Sequence, residues 1–557
     1  MDNAAELQSW FVQHVKLDGK PYTLDPDQAK AVLDDHKNTL VTARAGSGKT
    51  RVIVAKVAYL VARNLANISE ITAFMFNRAA AAEVNQRIGA VEIDGIPLQE
   101  YNHGKPIKLA STFHKFALDI IKRTGERPEL ISESERDTII QNSVRKILSE
   151  QDRKLSPQEQ AEALRLASSF ISRAGQKYPG SSGLSELVTS VNSYIHVHTE
   201  SAAYQGKIFL HQVCLAAYQE YLLALTYPKI DFNMLMARAT QTIIAQSDAY
   251  SSTKHTSASI NHTLDTIKRT KYILIDEYQD FSYLFFSLIE AIRQSSPAAH
   301  LFCVGDDWQA INRFAGSDVN YFINFAKYFP EDFINIPLVT NYRSDRKIVE
   351  NANNYMIRHY DPQATKAIPF SKRRGKIKYL NSTKTKFDAH DLDEDALDDA
   401  RFQLALAKTC NGAPTDYQGA AQLLKTIFKL LRKHHREEIL ILHRHNFTSF
   451  KGVTLENFIQ ALRLICMQEN LISAEDFYHQ VRSMTMHKSK GLESNIVILL
   501  EADQSQLLST HPHATTFELF GDTLEAEKSD QHRLLYVALT RAKHRLYIVH
   551  SDKKCSI

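Results

Sequence analysis

Cysteine is scarce, at five residues in 557. Cys214, Cys303, Cys410, Cys466 and Cys555 show no metal-ligand spacing, so we expect no zinc site, no iron–sulfur cluster and no disulfide framework. That usage fits a reducing compartment. No apolar run is long enough to span a bilayer, which excludes a membrane helix. The start, Met1–Trp10, is polar and lacks the apolar core of a signal peptide, so the expected location is cytoplasmic. A charge imbalance is lacking too: 67 basic residues face 63 acidic ones, for a net charge of +4. Global charge therefore does not mark a nucleic-acid binder, although a binding groove needs only local charge. The 23 histidines add positive charge below about pH 6.5. There is no internal repeat and no low-complexity tract. What is present is ordinary soluble composition, 44% hydrophobic and 23% charged, over a length that predicts about three to four domains.

One stretch organises the rest: Val41-Thr42-Ala43-Arg44-Ala45-Gly46-Ser47-Gly48-Lys49-Thr50. A short apolar run, Thr39–Thr42, predicts a buried strand before it, and Arg51–Ala66 predicts a helix after it. Strand, small-residue loop, Gly-Lys-Thr and helix form the phosphate-binding arrangement. Small residues let backbone N–H groups converge on phosphates, and the helix N-terminus adds a favourable dipole. Lys49 is expected to reach the β and γ phosphates, and the Thr50 hydroxyl to bind Mg²⁺. Ala43 stands where the general pattern has glycine.

The remaining segments alternate strand and helix, which predicts an α/β chain. Asp25-Pro26 caps a helix that carries Gln28, whose amide could read an adenine edge, although a surface position is the simpler reading. Ile71–Phe76 and Ile107–Ala110 are predicted strands, followed by Asn77-Arg78 and by Ser111-Thr112-Phe113-His114. Phe113 and Phe116 also suit a core. From Leu118 to Lys268 the pattern is helical, with capping boxes at Ser132–Glu135 and Ser156–Glu159, a loop at Pro179–Gly183 and a mobile polar stretch at Ser247–Ser259. Tyr272–Ile275 is a buried strand ending in Asp276-Glu277. With a phosphate loop in the same chain, Asp276 can hold Mg²⁺ and Glu277 can orient or deprotonate an attacking water. His300–Val304 again ends in acid, Asp306-Asp307, ahead of Trp308-Gln309. A second α/β region opens at Leu338, with strands at Gly375–Leu380, Glu438–Leu442, Asn495–Leu500 and Arg545–Val549. The acidic run Asp388–Asp399 reads as a solvated loop, followed by a helix to about Lys433.

In order, the chain carries AGSGKT, FNRAAAAEV, STFHKFA, LIDEYQD, VGDDWQAI, NYRS, TMHKSKGLE and LLYVALTRAK. Together these resemble the superfamily 1 helicases of the UvrD/Rep type, from Gln28 to Lys543, with the DDWQAI wording closest to the helicase IV branch. Ala43 is typical of that superfamily. The resemblance implies two RecA-like domains that clasp ATP and ratchet along single-stranded DNA, generally 3′→5′. It implies domain 1A at 1–118 plus 266–334, a helical insertion (1B) at 119–265, and domain 2A at 335–557. It assigns catalysis to Lys49, Thr50, Asp276, Glu277 and Gln309, with Arg343 and Arg541 as arginine fingers, and Mg²⁺ to Thr50 and Asp276. Nucleotide contacts fall on Gln28, Ala45, Gly46, Ser47, Gly48, Lys49, Thr50, Arg51, Tyr342, Gly491 and Glu493; among them Gln28 and Tyr342 hold the adenine and Glu493 approaches the ribose. Strand contacts fall on Asn77, Arg78, Thr112, Phe113, His114, Phe314, Thr485 and His487.

Two departures shape the functional expectation. Asn312 stands where the family has tyrosine and Ala315 where it has arginine, which thins the base-stacking path. Between the strand near Glu438 and Thr485 only a short insertion, near 446–483, stands where the family places its 2B domain, so 2B is expected to be reduced or missing. The sequence runs only a short way past Arg541, so neither a nuclease domain nor a basic tail is expected. The leading expectation is an ATP-dependent DNA helicase or translocase acting at single strands and duplex junctions or ends. An alternative is a DNA-sensing ATPase that accompanies a nuclease, since the layout also resembles helicase-like subunits of anti-phage defence systems such as Gabija. A DNA-binding scaffold with a dead ATPase is a third class, opposed by the intact Lys49, Glu277, Arg343 and Arg541.

Overall fold

The computed structural model describes residues 3–150, 156–198, 205–251, 267–361, 363–381, 399–410, 417–446, 452–503, 518–521 and 523–550. The chain divides into two units by packing. The first is built on a six-stranded parallel sheet in the order Phe333–Leu338, Asn38–Ala43, His300–Gly305, Tyr272–Ile275, Ile71–Met75 and Ala110–Thr112. Its central strands are apolar on both faces, as a parallel sheet covered by helices requires. One face packs on the helix Lys49–Ala62, with Val52, Ile53 and Val57 fully buried. The other packs on the helices Phe113–Arg123, Phe232–Ser251 and Tyr283–Ser295.

Local signals account for several helix ends. Asp25 caps Pro26–Leu33 through a capping box with Gln28, and boxes also start Glu133–Ser149 at Ser132 and Pro157–Lys177 at Ser156. The insertion is helical and has its own core of Phe170, Tyr218 and Tyr221. It is not wholly helical, because Glu129–Leu130 pairs in parallel with Lys229–Ile230. The loop expected at Pro179–Gly183 is instead the start of a helix, Gly180–His198. Residues 247–251 finish the helix Phe232–Ser251, and the rest of the polar stretch to Ser259 lies outside the described residues. The acidic run lies outside them as well up to residue 398.

The second unit holds a five-stranded parallel sheet in the order Lys376–Asn381, Ala542–His550, Ser494–Leu499, Ile439–His443 and Val481–Thr485. Between Ile439–His443 and Val481–Thr485 stand the helix Leu455–Gln468 and a single turn, Phe477–Gln480. Two boundaries differ from expectation. Phe333–Leu338 hydrogen-bonds to Asn38–Ala43, so the first unit runs to Leu338 rather than 334. The segment to Glu527 also belongs to the first unit, where Leu519 and Phe520 enter the insertion core. Among the described residues, no helix is long and apolar enough to cross a membrane.

Candidate nucleotide-hydrolysis site

Three adjacent parallel strands of the first sheet, Asn38–Ala43, His300–Gly305 and Tyr272–Ile275, end on the same side. Strand C-termini are where open α/β sheets place ligands. The first strand leads into the Gly-Ser-Gly-Lys-Thr loop, the third into Asp276-Glu277, and the middle one into Asp306. Gly48 is the N-cap of Lys49–Ala62 with φ +84°, a left-handed conformation. A β-carbon there would also lie 2.9 Å from the Gln28 amide nitrogen, so glycine is needed on both counts.

Lys49 Nζ lies 3.3 Å from Glu277 Oε2. Burial works against the Lys49 ammonium, but the carboxylates of Glu277, Asp306 and Asp276 outweigh it and hold the group above the usual lysine value. Asp276 is buried, and burial together with the neighbouring Glu277 charge pushes its carboxyl up to about 7. Its Oδ1 accepts the Glu277 N–H at 2.8 Å. Glu277 itself sits at φ +51°, ψ +41°, a left-handed conformation uncommon for a residue with a β-carbon. Such strain clusters at functional sites. The Thr50 hydroxyl and Asp276 carboxylate are hard oxygen donors, which suits Mg²⁺; that ion is commonly held by one or two carboxylates together with substrate phosphates.

Two residues of this site were not singled out from the sequence. Gln279 is 1% exposed, donates to Glu277 Oε2 and accepts the Asp306 N–H at 2.8 Å. Asp306 is fully buried and accepts from the Gln309 amide at 2.6 Å. Gln309, Asp306, Gln279 and Glu277 thus form one hydrogen-bonded chain leading to Lys49. The signal was the glutamine two positions after Glu277 in LIDEYQD. Gln28 corrects the surface reading: it is 2% exposed, its Oε1 accepts the Asp25 N–H at 3.1 Å, and its amide faces Gly48. Arg51 is held by Thr23, with its Nε 2.8 Å from the carbonyl, and lies 4.6 Å over the Tyr22 ring.

In the second unit Arg343 Nε pairs with Glu493 Oε2 at 2.6 Å, and Lys543 Nζ with Glu493 Oε1 at 2.8 Å. Burial alone would raise the Glu493 carboxyl, but these two cations outweigh it and hold it below its usual range. Arg541 is 1% exposed and donates to the carbonyls of Val537 and Leu492 and to the Thr540 hydroxyl. Tyr342 is exposed, and Gly491 takes φ +84° one residue before the Leu492 carbonyl that Arg541 meets. Arg44–Ser47 groups with this unit by packing; Asn341 Nδ2 donates to the Ala45 carbonyl at 2.6 Å and the Tyr342 N–H to the Gly46 carbonyl at 2.9 Å.

The expected strand contacts divide into two kinds. Phe314 is 59% exposed, and Arg78 is exposed beside Asn77, which caps Arg78–Gly89 by accepting the Ala80 N–H at 2.8 Å. Thr112 caps Phe113–Arg123 by accepting the Lys115 N–H at 3.2 Å. Burial depresses His114 to about 4. His487 is also held at about 4, by burial and then by Arg444 and His445, and it follows Thr485 at a strand end. Phe113 requires a correction. It is 4% exposed, its ring stacked between Phe74 at 4.4 Å and Phe285 at 4.1 Å, so neither face is open to a base.

Comparison with known families settles the class. The model of the UvrD/REP helicase N-terminal domain matches residues 24–330, and that of the UvrD-like helicase C-terminal domain matches 421–553. The chain belongs to the UvrD/REP helicase family. Among similar curated proteins, DNA helicase IV of Escherichia coli is 26% identical over 546 residues, covering 96% of this chain and 69% of that protein. A probable DNA helicase II homolog of Rickettsia conorii is 29% identical over 340 residues, covering 60% of this chain and 44% of its own length. The ATP-dependent DNA helicase PcrA of Bacillus subtilis is 28% identical over 334 residues, covering 59% and 39%. The chain thus spans about two thirds of the first relative and less than half of the other two. As a UvrD/REP family member it has the expected α/β class, with two parallel sheets in place.

Proposed function

We propose that this family member is an ATP-dependent DNA helicase or translocase that moves on single-stranded DNA, 3′→5′, by coupling ATP hydrolysis to motion of two RecA-like domains. The observation that carries this reading is the Lys49–Glu277 contact, held between Asp276, Asp306 and Gln309 at the strand tips. Lys49 neutralises the β and γ phosphates, and Glu277 aligns the attacking water. Thr50 and Asp276 would hold Mg²⁺, which when bound would supply charge neutralisation at the phosphates. Gln309 senses the γ-phosphate through its tie to Asp306. Arg343 exchanges the Glu493 carboxylate for a phosphate oxygen, and Arg541 follows as second finger; such residues are worth about 10³–10⁵ in rate in related phosphoryl transfers. Making hydrolysis depend on both halves couples chemistry to movement. Domain 1A takes 1–118 and 266–334, extended by packing to Leu338, 1B takes 119–265, and 2A takes the rest apart from the segment to Glu527 that packs with the first unit, with 2B reduced to the stretch around Leu455–Gln468.

ATPase activity is expected to rise with single-stranded DNA, and Lys49→Ala to abolish turnover with and without it. Equal wild-type activity in the two conditions would sink the motor reading. The short connection across Leu455–Gln468 favours a second reading, a DNA-sensing ATPase working beside a nuclease. In that case the isolated chain hydrolyses ATP on DNA without unwinding long duplexes.

A further inference from the structure

We propose that the second unit carries an additional docking surface for the phosphodiester backbone of DNA, outside the eight motifs, centred on the loop after Phe370. The loop places Lys372, Arg373, Arg374 and Lys376 beside Arg346 and Lys347, which open the helix Arg346–His359. All six are exposed. The backbone holds them there. The Arg346 N–H donates to the Arg373 carbonyl at 3.1 Å and the Lys347 N–H to the Arg374 carbonyl at 2.8 Å. The Ser371 hydroxyl donates to Asp345 Oδ1 at 2.8 Å, and the Phe370 N–H donates to the Asn341 carbonyl at 2.9 Å. Gly375 turns the chain at φ +71°, where a β-carbon would lie 2.7 Å from that of Asp345.

A solvated charge run is ordinarily mixed in sign, but the loop segment Lys372–Lys376 carries no acid; on the helix the exposed Glu350 follows one turn after Arg346. Asp345 is the one acid ion-paired to the six among the described residues; it is buried, it meets Arg373 Nε at 3.6 Å, and His544 shares it. Six like charges pinned close together repel one another, a cost without return unless an anion arrives. The chain as a whole has only four more cations than anions, so this is local enrichment, the form a binding surface takes. Phe370 is 67% exposed; its ring lies 4.9 Å from that of Tyr342 on one side and leaves its remaining face beside the cations. Guanidinium groups with an exposed ring match phosphates with bases alongside, the recognition chemistry of nucleic acid.

This inference rests on the helicase reading, and the test separates the two. The variant Lys372→Gln/Arg374→Gln is titrated with an oligothymidylate and with a blunt duplex between about 50 and 200 mM salt. Removing two phosphate contacts is expected to make the slope of log K against log salt shallower by about 1.4 on the single strand, or about 1.8 on the duplex. Across that range the wild type then loses roughly seven- to twelvefold more affinity than the variant. The DNA form whose slope changes is the one the surface takes. A folding defect lowers the amplitude of the titration, not its slope, so thermal instability of the variant does not mimic the result. Equal slopes for a wild type that binds DNA overturn the surface alone. A wild type without salt-dependent DNA binding overturns the helicase reading and the surface with it.

Discussion

Lys56 sits between the apolar residues Val52–Ala55 and Val57–Ala58 of the helix Lys49–Ala62, 2% exposed, with its ammonium under the C-terminal end of Pro26–Leu33. It donates to the Val32 carbonyl at 3.0 Å and to the Asp34 carbonyl, and lies 5.3 Å over the Phe302 ring. Burial pushes its pKa from 10.5 down to about 8, against the smaller pull of Asp34 and Asp35. An uncharged amine still donates two hydrogens, enough for both carbonyls. Below about pH 8 folded and unfolded chains both carry the proton, and the folded state bears a penalty of about 3 kcal/mol for keeping it in a dry site. As pH rises from 8 towards 10.5 the folded state sheds the proton while the unfolded state keeps it. The unfolded state then binds more protons, so stability rises with pH across that window, by up to about 3 kcal/mol. Lys56→Met retains the stem and cannot titrate. The expected result is that wild type minus Lys56→Met, measured as unfolding free energy of the first transition in urea, increases by about 3 kcal/mol between those pH values. Buried tyrosines titrate in both proteins and cancel in the difference. Parallel pH curves, or a gap that shrinks as pH rises, would refute the reasoning.

Two other substitutions test the site from the side of stability. Glu277→Gly should relieve the left-handed backbone at φ +51° and raise the melting temperature modestly, a gain of up to about 1 kcal/mol, while ATP turnover is lost. A melting temperature lower than that of Glu277→Gln would show that the backbone there is unstrained. Phe113→Ala should cost about 3–5 kcal/mol in chemical denaturation, because it empties the space between Phe74 and Phe285. Weakened DNA binding at unchanged stability would instead restore Phe113 to the strand path.

What the sequence disclosed was mostly local. The caps at Asp25, Ser132 and Ser156 are read within four residues, and their helices begin where expected. Strand runs such as Tyr272–Ile275 are apolar on both faces and end in acids, so they too announce themselves. What stayed hidden depends on partners far along the chain. Nothing near Gln28 tells that Gly48 will close over its amide, nor does STFHKFA tell that Phe74 and Phe285 will enclose Phe113. The left-handed turn at Glu277 is a backbone property that an acidic side chain does not advertise. Gln279 acts by joining two strand ends, a relation that exists only once the sheet is assembled.

The late return of the chain to the first unit has a consequence for how the molecule can be divided. Phe520 packs its ring 5.2 Å from Phe170 and offers its carbonyl to Lys177 at 3.0 Å. Glu518 lies 3.3 Å from the Tyr194 hydroxyl, and the Ala526 carbonyl lies 3.3 Å from Arg313. These residues come after most of the second unit has already been laid down. A fragment ending at Leu338 therefore lacks part of its own hydrophobic interior, and the complementary fragment carries that part as surplus. The protein is two units in space but not two pieces in sequence: no single cut yields halves that are each whole, and during synthesis the helical insertion completes its packing only after the second-unit strands up to Ser494–Leu499 have been made.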